Sequence, residues 1–255
     1  KGMALGASRA CLVASGSGPG ARELDKFCDS VKAMKAKNPA VEVCACLGLL
    51  MEGQADKLKS AGVDAYNHNL NTSEAFYERI CKTHAYQDRV DTVEKAKAGG
   101  LSPCSGVLTG MGETDEDLVD IGIALRRQNV ESVPINFLIS VEGTPMQRVN
   151  NLTPLRCLRI LSMFRLINPK AELRIAGGRE VHLRHLQPLG LLVANSIFIG
   201  DYLTTKGQTA KADLEMIRDL GLKVLNQPDD FLDTVLGAPA PGAEIKDPIR
   251  ETAGV

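Results

Sequence analysis

At 255 residues, with 30 basic and 31 acidic side chains, the chain carries a formal charge of −1. So even a balance gives no reason to expect nucleic acid or an anionic membrane as partner, and no apolar run reaches the length of a membrane span or opens the chain as a signal peptide. Seven cysteines, an odd number at irregular spacing, argue against a secreted disulfide framework and for a reducing compartment with metal-binding or structural thiols.

Short β-type runs alternate with amphipathic helical patterns along the chain. A strand is expected over 10–15, a helix over 23–36, then strand 41–47, helix 54–61, strand 65–70, helix 86–98, strand 102–110 and helix 115–127. Strand 132–139, helix 154–167, strands 172–177 and 195–200, and helix 210–220 complete the series. Gly62, Gly99-Gly100 and Gly221 follow helical patterns, as stop residues do. Strand starts recur roughly every 30 residues, the repeat of successive βα units. An eight-stranded (β/α)8 barrel of the TIM type needs one strand more than the seven counted, and the opening segment 1–7 reads as the end of a helix. The expectation is therefore an α/β barrel lacking its first strand, with seven βα units over residues 1–226. A doubly wound sheet is the alternative, but no Gly-x-Gly-x-x-Gly follows the first strand and no phosphate loop appears. Residues 227–255 turn to Pro, Gly, Ala and charge and read as a disordered tail.

The densest polar signal is Tyr66-Asn67-His68-Asn69-Leu70-Asn71-Thr72-Ser73, where an apolar strand pattern ends. Neutral amides both donate and accept hydrogen bonds, which suits an amide-like or sugar-like ligand, although a turn also uses Asn. Cys11, Cys44 and Cys104 lie within expected strands, and a barrel brings alternate positions of separate strands onto one interior layer. Taken alone, each is more readily read as a small buried hydrophobe, as most unpaired cysteines are. Arg174, inside strand 172–177, needs an anionic partner, which a thiolate-held cluster or a buried carboxylate would supply. Gly110-Met111-Gly112-Glu113-Thr114 is either a loop approached by a ligand or a tight turn with an acidic cap. Asn136 sits mid-strand and must brace a neighbour or meet a ligand. Arg89 reads by default as a solvated surface residue, and His182 with His185 as surface or capping residues before metal ligands.

Together with Cys104-Ser105-Gly106, Ser132-Val133-Pro134-Ile135-Asn136, Gly143-Thr144-Pro145, Gly178-Arg179-Glu180 and Ala194-Asn195-Ser196-Ile197-Phe198, these motifs resemble the biotin synthase family of radical S-adenosylmethionine (SAM) enzymes, in order and spacing, from residue 5 to residue 222. The resemblance implies a dimeric barrel that inserts sulfur into dethiobiotin to give biotin. It also implies a [4Fe-4S] cluster that cleaves SAM reductively, a deoxyadenosyl radical, a second, [2Fe-2S] cluster as sulfur source, and an electron donor such as flavodoxin or ferredoxin. By the same resemblance, Cys11, Cys44, Cys104 and Arg174 would hold the [2Fe-2S] cluster. Asn67, Asn69 and Asn136 would face the ureido ring of dethiobiotin, and Asn69, Asn71 and Arg89 would contact SAM. A cytoplasmic location, or an organelle in a eukaryote, follows on the same basis.

Two departures from the family pattern stand out. The 255 residues contain no Cys-x3-Cys-x2-Cys, the motif that holds the SAM cluster in the loop after the first barrel strand. With the strand count, this leads us to expect an N-terminal segment upstream of Lys1. Position 71 is Asn where the family carries an acid that grips the ribose, so weaker SAM binding is expected. A non-catalytic barrel remnant that binds a small molecule is the alternative function, and a zinc barrel enzyme a third; bound iron, nothing or zinc would separate them.

Overall fold

A computed structural model describes residues 2, 5–149, 151–202 and 206–237. In chain order the elements are β1 (Arg9–Val13), α1 (Ala21–Lys37), β2 (Glu42–Cys46), α2 (Gln54–Ser60), β3 (Ala65–Asn67), α3 (Glu74–Ile80), α4 (Tyr86–Ala98), β4 (Ser102–Cys104) and β5 (Val107–Thr109). There follow α5 (Asp115–Arg127), β6 (Ser132–Phe137), α6 (Pro154–Ile167), β7 (Glu172–Ile175), α7 (Arg179–Leu183), α8 (Gln187–Leu191), β8 (Ser196–Ile197), α9 (Ala210–Asp219) and α10 (Phe231–Leu236). All strand pairs are parallel, in the order β1-β2-β3-β4-β6-β7-β8, with β5 also paired to β6. The curved sheet is thus seven strands across, as the sequence pattern suggests. Among the described residues it stays open between β1 and β8, where a cavity of about 1660 Å³ is lined from both edges.

Strand periodicity sorts the side chains into two populations. One face of the sheet carries Val43, Ala45, Tyr66, Val107, Val133, Ile135, Phe137, Leu173 and Ile175, all buried against helix residues such as Leu24, Val31, Leu58, Leu118, Leu161 and Phe164. The alternate positions, facing the lumen, are Arg9, Cys11, Cys44, Cys46, Asn67, Cys104, Ser132, Asn136, Glu172, Arg174 and Ser196. The hydrophobic drive is spent on the outside of the sheet, so the lumen is free to be polar.

Helix starts follow local chemistry. Thr114 and Asp117 cap α5 reciprocally, and Thr153 caps α6 ahead of Pro154. Helices α4, α5 and α6 occupy the spans expected from periodicity. Helix α3 was not foreseen; its start signal is Thr72-Ser73 before Glu74, with Ser73 Oγ accepting from the Phe76 amide at 3.1 Å.

The expected strand 102–110 is broken into β4 and β5 at Ser105-Gly106. Pro134, opposite the break on β6, has no N–H to offer the ladder. The backbones also close in: a Cβ on Gly106 would lie 1.9 Å from the Pro134 carbonyl oxygen. Strand β8 is only Ser196–Ile197, shorter than the expected 195–200. The stretch from 227, read from composition as a disordered tail, contains the ordered helix α10; Leu232 is buried, and a Cβ on Gly6 would meet the Phe231 ring at 2.6 Å. Its apolar residues, outnumbered in the composition, are enough to dock one turn and a half. Residues 238–255 lie outside the described residues.

Helix α9 is tied to the sheet by a buried ion pair. Arg179, after β7, donates to Asp213 Oδ1 at 2.7 Å, with Gln208 donating to the same oxygen at 3.1 Å. Both charged side chains are almost fully buried, and Glu180 adds a second carboxylate 3.4 Å from the guanidinium.

Two stability tests follow. Gly106→Ala should lower unfolding free energy by about 3 kcal/mol or more through backbone overlap, read as a shifted urea midpoint with unchanged slope. Asp213→Ala should cost about 3 kcal/mol, because it takes the nearer of two carboxylates from a buried guanidinium. A thermal melt within a degree of the parent would contradict that.

Candidate functional site

Register brings the separated cysteines together. Cys11 and Cys44 are direct partners in the β1–β2 ladder, and Cys104 is the partner of Asn67 in the β3–β4 ladder. Cys44, Ala65 and Cys104 pack as one buried group, and the Cys44 thiol lies within hydrogen-bonding reach of both Cys11 and Cys104. Cys11 opens onto the cavity at the β1 edge. Shared hydrogen bonds divide the thiols electrostatically. Cys104 is drawn down to about 6, mainly by the bond from Cys44, against burial and with help from Arg174, Asn67 and Ser132. Cys11 is lowered for the same first reason, whereas Cys44 is held well above the usual thiol range by its bonds to Cys104 and Cys11 and by burial. Among the described residues no three His, Cys, Asp or Glu side chains gather tightly enough around one point to hold a single metal ion.

Arg174 is 4% exposed and has several partners. It is ion-paired to Glu172, donates through Nε to Ser196 Oγ at 2.9 Å, and stacks 5.1 Å from the Phe198 ring centroid. The buried carboxylate expected as one alternative is therefore present, while the guanidinium also bears electrostatically on Cys11 and Cys104. Glu172 extends the network to Arg9 at 3.4 Å, and Arg9 pairs with Glu42 at 2.9 Å, so a ribbon of charge crosses the floor of the lumen from β7 to β1 and β2. Burial pushes Glu172 up, but Arg174 and Arg9 outweigh it and hold the carboxyl below its usual range.

The Asn block lies at the C-terminal end of β3. Asn67 donates to Cys104 Sγ at 3.2 Å and to Asn69 Oδ1 at 3.1 Å, and Asn69 Oδ1 also accepts the Gly106 amide at 3.0 Å. Asn71 has a left-handed backbone, φ 71°, a region that Asn enters more readily than most residues. Its amide and carbonyl pair with Gly106 and Leu108 at 3.1 and 3.0 Å, splicing the block onto β5. Arg89 is not the solvated surface residue of the default expectation. It is half-buried, donates to the Asn69 carbonyl at 2.8 Å and to Tyr77 Oη, and lies over the Tyr77 ring. Asn136 donates to the Val107 carbonyl and accepts from the Gly177 amide, both at 3.1 Å, so it braces the loops on either side while lining the cavity.

Other sequence candidates resolve differently. The Gly110 and Met111 amides are taken up by the Glu113 carboxylate at 2.6 and 2.7 Å, which makes 110–114 a self-closed turn. His182 donates to the Leu138 carbonyl at 2.7 Å and is buried, whereas His185 is exposed; they share no face and form no metal pair. Sequence reasoning gave no role to Cys81. Burial pushes its thiol up, but hydrogen bonds from Thr83, Tyr77 and the backbone at His84 win and bring it down to about 7, next to the residue that anchors Arg89. These partners lie within four residues of Cys81, where the chain leaves α3. No helix among the described residues is long and apolar enough to cross a membrane.

Comparison with known proteins agrees with this geometry. Residues 4–122 match the Radical SAM superfamily, and residues 134–223 match the Biotin and Thiamin Synthesis associated domain. Biotin synthase of Streptomyces avermitilis is 64% identical over 223 residues, 88% of this chain and 58% of that protein. For Saccharopolyspora erythraea biotin synthase the identity is 59%, covering 90% of this chain and 65% of the relative. The chain thus spans between half and two thirds of the length of these relatives. Biotin synthase of Renibacterium salmoninarum is 56% identical over 250 residues, 96% of this chain and 73% of the relative. Among solved structures, methylornithine synthase (PylB) superposes with a TM-score of 0.70 at 19% identity, covering 91% of this chain and 72% of that one. The FeFe-hydrogenase maturase HydG from Carboxydothermus hydrogenoformans gives 0.71 at 14%, with 86% and 56% covered. These two share the fold. The identity to the Renibacterium protein, sustained over nearly the whole chain, shows that this chain belongs to the biotin synthase family.

Proposed function

We propose that this barrel serves the sulfur insertion that converts dethiobiotin to biotin by SAM-derived radical chemistry. The observation that carries the proposal is the convergence of Cys11, Cys44, Cys104 and Arg174 on one lumen face, with Asn67 bonded directly to Cys104 Sγ. Thiols offered from three strands fit an inorganic core, and a low-lying buried thiol with a nearby guanidinium is poised to be a thiolate. A [2Fe-2S] cluster there would supply the sulfide. The ligands of a [4Fe-4S] cluster are not among these 255 residues in the family's Cys-x3-Cys-x2-Cys form.

The remaining roles belong to the chain's own groups. Asn67, fixed by its amide nitrogen to Cys104 and Asn69, presents its carbonyl oxygen as an acceptor for a cyclic-urea N–H beside the thiols. Asn69 and Asn136 complete the polar wall. Arg89, held by Tyr77 and the Asn69 carbonyl, sets a preoriented cation at the C-terminal end of the strands, suited to the carboxylate of SAM. Asn71 meets the SAM ribose with a neutral amide. Dimerisation, a flavodoxin or ferredoxin as electron donor and a cytoplasmic location complete the proposal on the strength of the family.

Anaerobic reconstitution with ferrous iron and sulfide should load about two irons and two sulfides per chain at this site, the content of a [2Fe-2S] centre. Cys44→Ser and Cys104→Ser should lose most of both. Uptake of zinc in preference to iron, or retention of iron and sulfide by Cys104→Ser, would contradict the assignment. In the reconstituted protein, Asn71→Asp should tighten SAM binding about five-fold, since a charged acceptor gains about 1 kcal/mol over a neutral one. The left-handed backbone at 71 tolerates Asp as it does Asn, so equal affinities in equilibrium dialysis would refute a ribose contact.

A further inference from the structure

Arg9, Arg156, Arg174 and Arg179 each have a carboxylate partner, whereas among the described residues Arg89 has only neutral acceptors. Its Nε donates to Tyr77 Oη, and Nη1 donates to the Asn69 carbonyl at 2.8 Å. A guanidinium carries five N–H groups in a fixed fork. The outer edge, Nη2 with the second Nη1 hydrogen, is therefore left for an anion. What aims that edge is the pair of bonds on the inner side.

The hydroxyl that holds Nε is itself constrained. Tyr77 is 1% exposed, and its ring meets Tyr86 and His84 edge-on, with centroids 5.6 and 6.1 Å away. Burial pushes the hydroxyl above the ordinary phenol range, so it has a proton to place. Arginine only donates, so the hydroxyl must accept from Arg89 and send its own proton elsewhere. Cys81 receives it. That residue caps the end of α3, four positions after Tyr77, which keeps its thiol on the Tyr77 side of the helix. Thr83 and His84 each approach the same sulfur to 3.5 Å. Arg89, Tyr77 and Cys81 thus form a relay that runs one way, each hydrogen bond fixing the next rotor.

We infer that Tyr77 is the positioning residue of Arg89 and, with Cys81 orienting its hydroxyl, makes the site selective for a sulfonium nucleoside that carries a carboxylate. Without the hydroxyl, Nε has no acceptor, and the fork is held by the Asn69 carbonyl alone. This rests on the reading that Arg89 meets the carboxylate of SAM.

The test compares SAM with decarboxylated SAM, which keeps the sulfonium, the amine and the nucleoside but lacks the carboxylate. Equilibrium dialysis of the reconstituted chain gives Kd for both ligands in the parent, Tyr77→Phe, Arg89→Met and the double variant. Tyr77→Phe keeps the ring and should raise the Kd of SAM about ten-fold, the scale of one hydrogen bond to a charged group. Decarboxylated SAM should change by less than about two-fold, which a general loss of packing would not spare. In the Arg89→Met background Tyr77→Phe should have no further effect, because no cation is left to aim. Cys81→Ala should weaken SAM about three-fold, and Cys81→Ser, which keeps an acceptor, should lose less. A Tyr77→Phe protein that binds SAM like the parent, or loses both ligands alike, overturns the inference while Arg89→Met still binds SAM poorly. Parent affinity in Cys81→Ala overturns the part given to Cys81. An Arg89→Met protein that binds SAM like the parent, or a parent that binds no SAM, overturns this inference together with the reading on which it rests.

Discussion

A parallel strand sends successive side chains to opposite faces, and everything in this molecule depends on how that alternation is used. Outward positions such as Val43, Ala45, Val133, Ile135, Leu173 and Ile175 bury their apolar surface beneath the helices. That burial stabilises the sheet without help from the other face. The inward positions are thereby released from core duty, and they are filled with thiols, amides, hydroxyls and charge. In a flat sheet Cys11 and Cys104 would be separated by two intervening strands; curvature lets Cys44 touch both.

The lumen is layered along the strands. At the floor, Glu42, Arg9, Glu172 and Arg174 alternate in sign across three strands, joining regions that the open sheet does not pair through backbone hydrogen bonds. Above them lie the thiols, then the Asn amides, and at the C-terminal end Arg89 held by Tyr77. Each layer orients the next: Arg174 favours the thiolate forms of Cys11 and Cys104, Cys104 fixes Asn67, Asn67 fixes Asn69, and the Asn69 carbonyl fixes Arg89. A site assembled this way is held in place by the hydrogen bonds that each layer makes to the next.

The places where sequence reasoning fell short share a cause. Residues 102–110 have the composition of one strand, but Pro134 on a neighbouring strand, 28 positions after Gly106 and pressed against it, breaks the run. Arg89 has the spacing of a surface residue on α4, and only the arrival of Tyr77 from α3 turns it inward. The glycines of 110–114 leave room for a ligand in principle, yet Glu113 folds back onto their amides. In each case a partner remote in sequence, or a side-chain rotation, decided between two locally acceptable outcomes.

What the sequence determined by itself was the period and the chemistry: strands alternating with helices, polar or thiol residues at every second position of several strands, and family-specific motifs in order. Those are local properties, written in spacing and residue type. Tertiary structure decided which thiols share a level, that Glu172 occupies Arg174, that Cys46 joins the lumen wall, and that Asn71 sits in a left-handed turn spliced to β5. Those depend on register and curvature, which are set by packing across the whole sheet, and no single segment carries that information.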